Sequence, residues 1–264
     1  MARMIPPEFD ASTVSSAEKR VFNLLRCDPA TEDWVVLHSL GLAACGSRPY
    51  GEVDFVVLVP TGAVVCLEVK GGRVSCLDGV WRTVDRTGQA SELKRSPFMQ
   101  SRDGMFALRN AVLRKLGAGH AAAKCVVGHA VIFPDVPAPP ETPEFEPCQA
   151  IGRDDLAKPI SHSILRVVAA LRKKLPQTLG PSAAVKAISD IRQFLRPDFE
   201  RIVTRSTAIA HSEDALVSLT EDQYQVLDII SDNARCLVEG AAGTGKTVLA
   251  LEYEIGRASC RERV

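Results

Sequence analysis

The sequence lacks long apolar runs, and it carries no excess of charge of either sign. No apolar stretch approaches the roughly 18–20 residues that a membrane-spanning helix needs, and the N-terminal MARMIPPEFDAS has no apolar core of a secretory signal. Lysine plus arginine (32) balance aspartate plus glutamate (32), which argues against a protein that coats nucleic acid but leaves room for a local basic groove. We therefore expect a soluble protein with no membrane partner.

Paired metal-ligand motifs and a serine-hydrolase motif are also absent. No CxxC pair occurs, and the eight cysteines are scattered as Cys27, Cys45, Cys66, Cys76, Cys125, Cys148, Cys236 and Cys260. This usage predicts reduced thiols in a cytoplasmic protein, with neither a disulfide framework nor a zinc site. Because no G-x-S-x-G elbow occurs, serine-type catalysis has no support.

The composition and patterning that are present favour a globular α/β protein. Apolar residues make up 46% and charged residues 24% of the 264 residues, enough for one large domain or two ordinary ones. Periodic apolar residues predict a capped helix after Ser15 and a second helix from about Gln100 to Leu116. Two more helices are predicted within 160–195, after a proline-rich loop over 135–148. Strands interspersed with these helices, followed by a separate strand–loop–helix unit, indicate two α/β modules.

Two strongly apolar strands within GEVDFVVLVPTGAVVCLEVKGG, residues 51–72, carry acids that a buried strand would be expected to avoid. The PTG segment between them suits a three-residue hairpin loop with glycine in the left-handed conformation. The register that this turn implies places Asp54 opposite Glu68, and Glu52 opposite Lys70, since side chains alternate between the two faces of a strand.

Opposed carboxylates of this kind require relief from their mutual repulsion. Directly opposed Cβ atoms lie about 4.5–5.5 Å apart, where like charges destabilise a hairpin. Protonation or a bound cation can relieve the repulsion between Asp54 and Glu68. Mg²⁺ commonly uses one or two carboxylates together with substrate phosphate oxygens, so the pair predicts a site for Mg²⁺ or Mn²⁺. Lys70 falls on the same face, where it could orient or activate water beside the metal.

An acid on one strand followed by Glu-x-Lys on the next resembles the PD-(D/E)xK nuclease superfamily. More closely, GEVDFVVL…VVCLEVKGG is similar to the nuclease-related domain, NERD, over about residues 14–135. The resemblance implies a restriction-endonuclease-like mixed sheet flanked by helices. It also implies a catalytic set in which Asp54 and Glu68 bind the metal and Lys70 assists the attacking water.

Three further polar residues are candidates for supporting roles at this site. Glu18 in the first helix and Gln100 in SPFMQ fall where related nucleases often have supporting polar residues. Glu52 is interpreted either as a second acid near the metal or as a partner for Lys70. DNA is the partner that the resemblance implies.

A second motif, GAAGTGKT, matches the phosphate-loop pattern G-x-x-x-x-G-K-[ST] at every fixed position. It lies between an apolar strand pattern and a helix pattern, where backbone N–H groups and the helix N-terminus favour phosphate. Lys246 is predicted to reach the β- and γ-phosphates of ATP, and Thr247 to supply a hydroxyl ligand to Mg²⁺. The predicted nucleotide-binding residues are Gly240, Ala241, Ala242, Gly243, Thr244, Gly245, Lys246 and Thr247.

The segment before the phosphate loop, SLTEDQYQVLDIIS, resembles the leading Q-motif of superfamily 1 DNA helicases. In that family the glutamine recognises adenine, a role that the resemblance assigns to Gln223. The metal-binding Asp-Glu motif, the arginine sensors and the second lobe do not follow in this sequence. The resemblance therefore implies only the first strand, phosphate loop and helix of a truncated RecA-like domain.

Four segments are expected along the chain. Residues 1–135 form the nuclease-like domain, 136–216 a helical extension and linker, and 217–253 the start of the helicase ATPase domain. The last eleven residues, EIGRASCRERV (254–264), resemble translated sequencing-adapter sequence, which implies that native sequence ends near Tyr253.

Three functional classes stay open at this point. The first is a metal-dependent nuclease coupled to a truncated ATP-dependent DNA helicase, acting in DNA processing or repair. The second is a non-catalytic module that binds nucleic acid or a protein partner and serves a phosphate-loop motor. The third is a phosphate-loop ATPase or signalling protein whose N-terminal domain is only structural.

Overall fold

The computed structural model describes residues 1–9, 15–43, 50–84, 88–175 and 179–200, together with residues 225, 226, 229, 237–240, 245–247 and 250. The chain divides into two compact units, Met1–Asp198 and Phe199–Val264. All of the helices and strands named below belong to the first unit. Within the described part of the chain, no helix has the length and apolar character needed to cross a membrane.

The first unit contains two β-sheets. Its strands are β1 (Arg3–Ile5), β2 (Val35–Leu42), β3 (Gly51–Val59), β4 (Ala63–Val69), β5 (Arg73–Leu77), β6 (Val80–Val84), β7 (Ala90–Glu92), β8 (Val126–Phe133) and β9 (Ala150–Gly152). The main sheet is mixed, with the spatial order β1-β2-β3-β4-β8-β9, and the small sheet has the order β5-β6-β7. In the main sheet β3 is antiparallel to both of its neighbours, whereas β4, β8 and β9 run parallel.

Four α-helices flank the main sheet: α1 (Ser16–Cys27), α2 (Pro97–Leu116), α3 (Ile160–Lys174) and α4 (Pro181–Leu195). The side chain of Ser15 caps α1 by accepting a hydrogen bond from the N–H of Glu18 at 3.2 Å. Proline occupies the first position of α2 and of α4, where the missing N–H costs no helical hydrogen bond. Helix α2 ends before Gly117, whose φ of +88° lies in the left-handed region that glycine tolerates.

The helices cover both faces of the main sheet. On one face, α1 and α3 bury Phe22 and Ile164 in a cluster with Phe55 of β3. On the other face, α2 and α4 bury Leu108 and Ile188 with residues of β3 and β4. Because both faces are covered, β4 is buried along its whole length and reads as an almost continuous apolar run.

These observations confirm a mixed α/β fold with helices on both sides of a mixed sheet. The capped helix after Ser15 and the hairpin are confirmed, but α2 begins at Pro97 and not near Gln100. Proline suits the first turn of a helix, so the predicted start was three residues too late. Strands β1 and β9 were not predicted, since three residues are too short for a periodic pattern.

Residues beyond the predicted nuclease-like domain contribute to the same compact unit. Strand β9 extends the main sheet beside β8, and α3 and α4 pack on opposite faces of it. The first unit therefore reaches Asp198 and includes most of the segment that sequence patterning set apart as a helical extension.

Candidate active site

Strands β3 and β4 form the predicted hairpin in the predicted register. The pairing runs from Val59↔Ala63 to Phe55↔Leu67. Gly62 in the connecting loop has φ +85°, the left-handed conformation that a three-residue hairpin loop requires. The turn was therefore sufficient to determine which residues of the two strands face one another.

The acids lie where this ladder ends. The N–H of Val69 donates a hydrogen bond to the Asp54 carboxylate at 2.7 Å. The predicted pairs Asp54–Glu68 and Glu52–Lys70 lie beyond the last pair of this ladder, so their direct opposition stays a prediction. The Asp54 carboxylate, and not a backbone carbonyl of β3, accepts this N–H. Asp54 therefore lies where the paired part of the hairpin ends.

Glu68 and Lys70 form a close ion pair. Glu68 is 2% exposed, and the Lys70 side chain is 17% exposed. The Lys70 ammonium donates to Glu68 Oε1 at 2.5 Å, while the Lys70 N–H continues the strand by donating to the carbonyl of Ile132 at 2.9 Å. A buried carboxylate requires such a partner, because an unpaired charge in the interior costs several kcal/mol.

The two carboxyl groups share an environment that disfavours ionisation. Burial raises the pKa of Asp54 well above its usual value, and the neighbouring Glu68 adds to the rise, whereas the Val69 N–H and Lys70 oppose it. Burial also raises the pKa of Glu68, although Lys70 opposes this rise by its charge and its hydrogen bond. The negative charge of Glu18 raises the pKa of both groups. Such shifts are typical of functional sites.

The backbone that follows Lys70 is held by close packing against α1 and by a carboxylate. A Cβ added at Gly71 would lie 2.5 Å from the Cβ of Ala17, so only glycine allows α1 to approach this closely. The N–H of Gly72 donates to Asp135 Oδ2 at 2.8 Å. Arg20 of α1 lies 3.7 Å from the other oxygen of Asp135. These contacts fix the end of β4 and, with it, the position of Lys70.

Asp135 is a residue beside the candidate site that sequence reasoning missed. It follows β8, and because β8 runs parallel to β4, the C-terminal ends of the two strands lie at the same edge of the sheet. The signal that could have revealed it is an acid directly after an apolar strand, in VIFPD.

The predicted supporting residues lie at different distances from the carboxyl pair. Glu18 lies in the first turn of α1, near enough to both carboxyl groups to influence their pKa values. Glu52 is exposed and raises the pKa of Glu68. Gln100 lies in the first turn of α2, and in the described part of the chain no hydrogen bond joins it to Asp54 or Glu68.

The donors for a cation are few but chemically suitable. Among the described residues, no group of three or more His, Cys, Asp or Glu side chains converges as a metal cluster. The site offers the two carboxylates of Asp54 and Glu68. A divalent cation would offset their mutual repulsion and the cost of their buried negative charge. Two carboxylates are within the range that Mg²⁺ uses when substrate phosphate supplies further oxygens.

A family comparison covers the residues of this site. Residues 13–134 match the family model NERD, described as the nuclease-related domain. The NERD match contains the hairpin, α1 and α2, and therefore all six residues predicted for the site. No curated protein matched the chain, and no solved structure matched it.

The structure describes only part of the phosphate-loop motif. Gly245 has φ +80°, a conformation that glycine adopts without strain, and the Lys246 ammonium donates to the carbonyl of Gly240 at 2.7 Å. Lys246 and Thr247 are helical, in agreement with a helix that opens after the loop. The remaining predicted nucleotide-binding residues lie outside the described residues: Gln223, Ala241, Ala242, Gly243 and Thr244.

Proposed function

We propose that the NERD region is a DNA nuclease that depends on Mg²⁺ or Mn²⁺. The observation that carries the proposal is the pair of carboxyl groups with raised pKa values, Asp54 and Glu68, beside the Lys70 ammonium at the end of a buried hairpin. A structural ion pair would need only one acid for Lys70. The second acid, partly exposed at the hairpin end, favours a site for a cation.

In this proposal the protein supplies two metal ligands, Asp54 and Glu68, and one cationic side chain, Lys70. Asp54 is oriented by the Val69 N–H, and Glu68 by its burial in β4. A bound divalent ion would supply Lewis-acid polarisation of the scissile phosphate and a more acidic water. With Glu68 as a metal ligand, the Lys70 ammonium would orient the attacking water or donate a hydrogen bond to a phosphate oxygen.

Nicking of supercoiled plasmid by the purified chain with Mg²⁺ or Mn²⁺ tests the proposal. Asp54→Ala and Lys70→Ala are each expected to reduce the nicking rate at least 100-fold, the scale of a lost catalytic group. Glu32→Ala and Lys158→Ala are matched controls, because both side chains are exposed and lie outside the site. Both controls are expected to retain the activity of the original chain.

The outcome is decided by comparison among these five proteins. Equal nicking by all of them, or no nicking by any of them at either metal, contradicts the nuclease proposal. Thermal unfolding of each protein shows whether a lost activity reflects a lost fold.

The nuclease is coupled, in the same proposal, to a phosphate-loop module of an ATP-dependent DNA helicase that acts in DNA processing or repair. The matched phosphate-loop pattern supports ATP as ligand, with Lys246 on its phosphates and Thr247 on the accompanying Mg²⁺. The Lys246 ammonium donates to the carbonyl of Gly240, and phosphate oxygens of ATP would be alternative acceptors for it. A Lys246→Ala chain is expected to lose ATP binding in equilibrium dialysis.

One observation favours a second candidate, a module that binds nucleic acid or a partner without cutting. Lys70 already occupies Glu68 Oε1, which leaves this acid neutralised without a metal. In that case divalent metal would not bind at Asp54 and Glu68. Isothermal titration with Mn²⁺ distinguishes the two candidates, since only the nuclease requires a metal site that Asp54→Ala removes.

A further inference from the structure

A cleft on the NERD region contains none of the candidate site residues and contributes nothing to the chemistry proposed above. It has a volume of about 420 Å³ and lies between α2 and the C-terminal part of α3. Its floor is the first half of β8, where Gly128 leaves room for Leu171, since a Cβ at that glycine would lie 2.1 Å from Leu171 Cδ1. The volume falls within the range of clefts that hold small organic ligands or single nucleotides.

The cleft is positively charged. Arg102, Arg109 and Lys124 line it, and all three are exposed. No acidic side chain lines it, and no ion pair neutralises these three cations within the described part of the chain. The nearby acid Glu146 is already paired with Lys174 at 2.9 Å. The chain as a whole is neutral, so this is a local concentration of positive charge.

An aromatic ring lies between two of the cations. Phe106 is 47% exposed, although it is a large apolar side chain. Arg102, Phe106 and Arg109 occur at helical positions i, i+4 and i+7 and therefore follow one face of α2. Arg102 and Arg109 are separated by about 10 Å along the helix axis, at 1.5 Å per residue. A ring flanked by two cations on one helix face can stack on a base while the cations contact neighbouring phosphates.

The polar floor of the cleft is uncharged at neutral pH. Burial, together with the charge of Arg102, lowers the pKa of His129 to about 4. The Nε2 atom of His129 lies 3.1 Å from the side-chain nitrogen of Gln149. The positive charge of the cleft therefore comes from its arginines and lysine alone.

Helix α2 connects the cleft to β4, the strand that carries Glu68, since the Ser101 hydroxyl of α2 donates to the Cys66 carbonyl at 3.4 Å. His129 and Val131 of β8 pair with Cys66 and Glu68 of β4, so all four side chains point to the face that α2 covers. Ser101 of α2 anchors the helix there by donating to the Ala130 carbonyl at 3.0 Å. Arg102 is the next residue, and the line of cations therefore begins close to the strand that carries Glu68.

We propose that this cleft binds a single-stranded segment of the nucleic acid that the candidate nuclease cleaves. Arg102, Arg109 and Lys124 contact the phosphates, and Phe106 stacks on a base. Such a combination of cations and an exposed aromatic ring is the usual means of holding a single strand without sequence preference. The inference rests on the proposed nuclease function for its ligand class.

Fluorescence anisotropy of labelled dT20 with the full chain in EDTA tests the inference, because no cleavage then competes with binding. Each phosphate contact contributes about 0.7 to the slope of log K against log salt concentration for single strands. Arg102→Gln/Arg109→Gln is expected to reduce the slope by about 1.4. Arg114→Gln, which removes a cation from the same helix outside the cleft, is expected to leave the slope unchanged.

An abasic strand of the same length separates stacking from charge. Phe106→Ala is expected to weaken binding of dT20 about tenfold, on the scale of one lost base stack, without weakening binding of the abasic strand. Leu165→Ala, on an exposed position of α3 outside the cleft, is the matched control. Circular dichroism of each variant establishes that the fold is retained.

The inference is overturned if the double arginine variant has the same salt slope as Arg114→Gln. It is also overturned if Phe106→Ala weakens the binding of dT20 and of the abasic strand equally, or weakens the binding of neither strand. It is also overturned if the chain does not bind dT20 at 50 mM salt. Plasmid nicking separates this inference from the nuclease proposal. If the chain nicks plasmid but the cleft variants bind dT20 like the original chain, only the binding inference is overturned. If the cleft variants lose binding but the chain does not nick plasmid, the binding inference is supported and the nuclease proposal is contradicted.

Discussion

Asp54 and Glu68 place two carboxyl groups where burial and mutual repulsion disfavour ionisation of both. Lys70 and the Val69 N–H oppose these effects. Arrangements of this kind destabilise a folded protein when no ligand is bound, and natural proteins retain them where function requires them. Removing the Asp54 charge should therefore raise the free energy of unfolding while it lowers the nicking activity.

Asp54→Asn is expected to stabilise the metal-free chain by about 1–2 kcal/mol at pH 7 to 8, because it removes a disfavoured charge. Asn can still accept the Val69 N–H through its amide oxygen. The pKa of Asp54 is raised on folding, so the native state holds a proton that the unfolded state releases above about pH 3.9. The free energy of unfolding therefore falls as the pH rises from the unfolded-state pKa of Asp54 toward its higher folded-state pKa. Asp54→Asn should lose this contribution to the pH dependence of stability.

Urea denaturation in EDTA from pH 4 to 8 measures the effect, with the exposed Asp33→Asn as control. A variant that is less stable than the original chain across this range would show that Asp54 serves the fold, and the proposed metal site would lose its physical basis.

At the scale of secondary-structure elements, the site depends on how α1 and the segment after β8 pack against the end of β4. Gly71 follows β4 and contacts Ala17 at the start of α1, while Asp135 holds Gly72 from the end of β8. These three segments are distant in sequence, so the position of Lys70 is a property of their packing and not of the hairpin alone.

Gly71→Ala is expected to destabilise the chain by about 1–3 kcal/mol, because the added methyl group would overlap the Ala17 side chain and force α1 away. The shift would also move Lys70, so nicking activity should fall together with stability. Gly119→Ala is the matched control, since a Cβ at Gly119 meets no atom within 4 Å. Chemical denaturation that gives the same stability for the two variants would contradict the close packing inferred here.

At the scale of the whole molecule, the chain divides into a unit that ends at Asp198 and a second unit that contains the phosphate-loop motif. Both helix layers and every strand of the main sheet belong to the first unit. A unit with its own core on both faces of a sheet has what independent folding requires.

A chain of residues 1–198 is therefore expected to unfold in one cooperative transition and to keep the nicking activity of the full chain. ATP should raise the melting temperature of the full chain and leave that of residues 1–198 unchanged, because ligand binding stabilises only the protein that holds the site. Differential scanning calorimetry measures both effects. If residues 1–198 do not fold, the division between the two units is wrong as a physical boundary.

Much of the fold could be predicted from local patterns in the sequence. The PTG loop determined the register from Val59↔Ala63 to Phe55↔Leu67, and Ser15 marked the start of α1. These features depend on residues that are neighbours in the chain, so propensity, capping and turn geometry act without reference to the rest of the protein. The candidate residues Asp54, Glu68 and Lys70 were found by the same local reasoning together with a family resemblance.

What sequence by itself determined is therefore the hairpin, its acids and the kind of chemistry that they favour. Tertiary structure decided that the ladder stops before Asp54, that Lys70 pairs with Glu68, and that Asp135 accepts the N–H of Gly72. It also decided that the arginines of α2 line a cleft with β8 and α3. Each of these contacts joins segments that only the packing of helices on the sheet brings together, and no pattern confined to one segment contains that information.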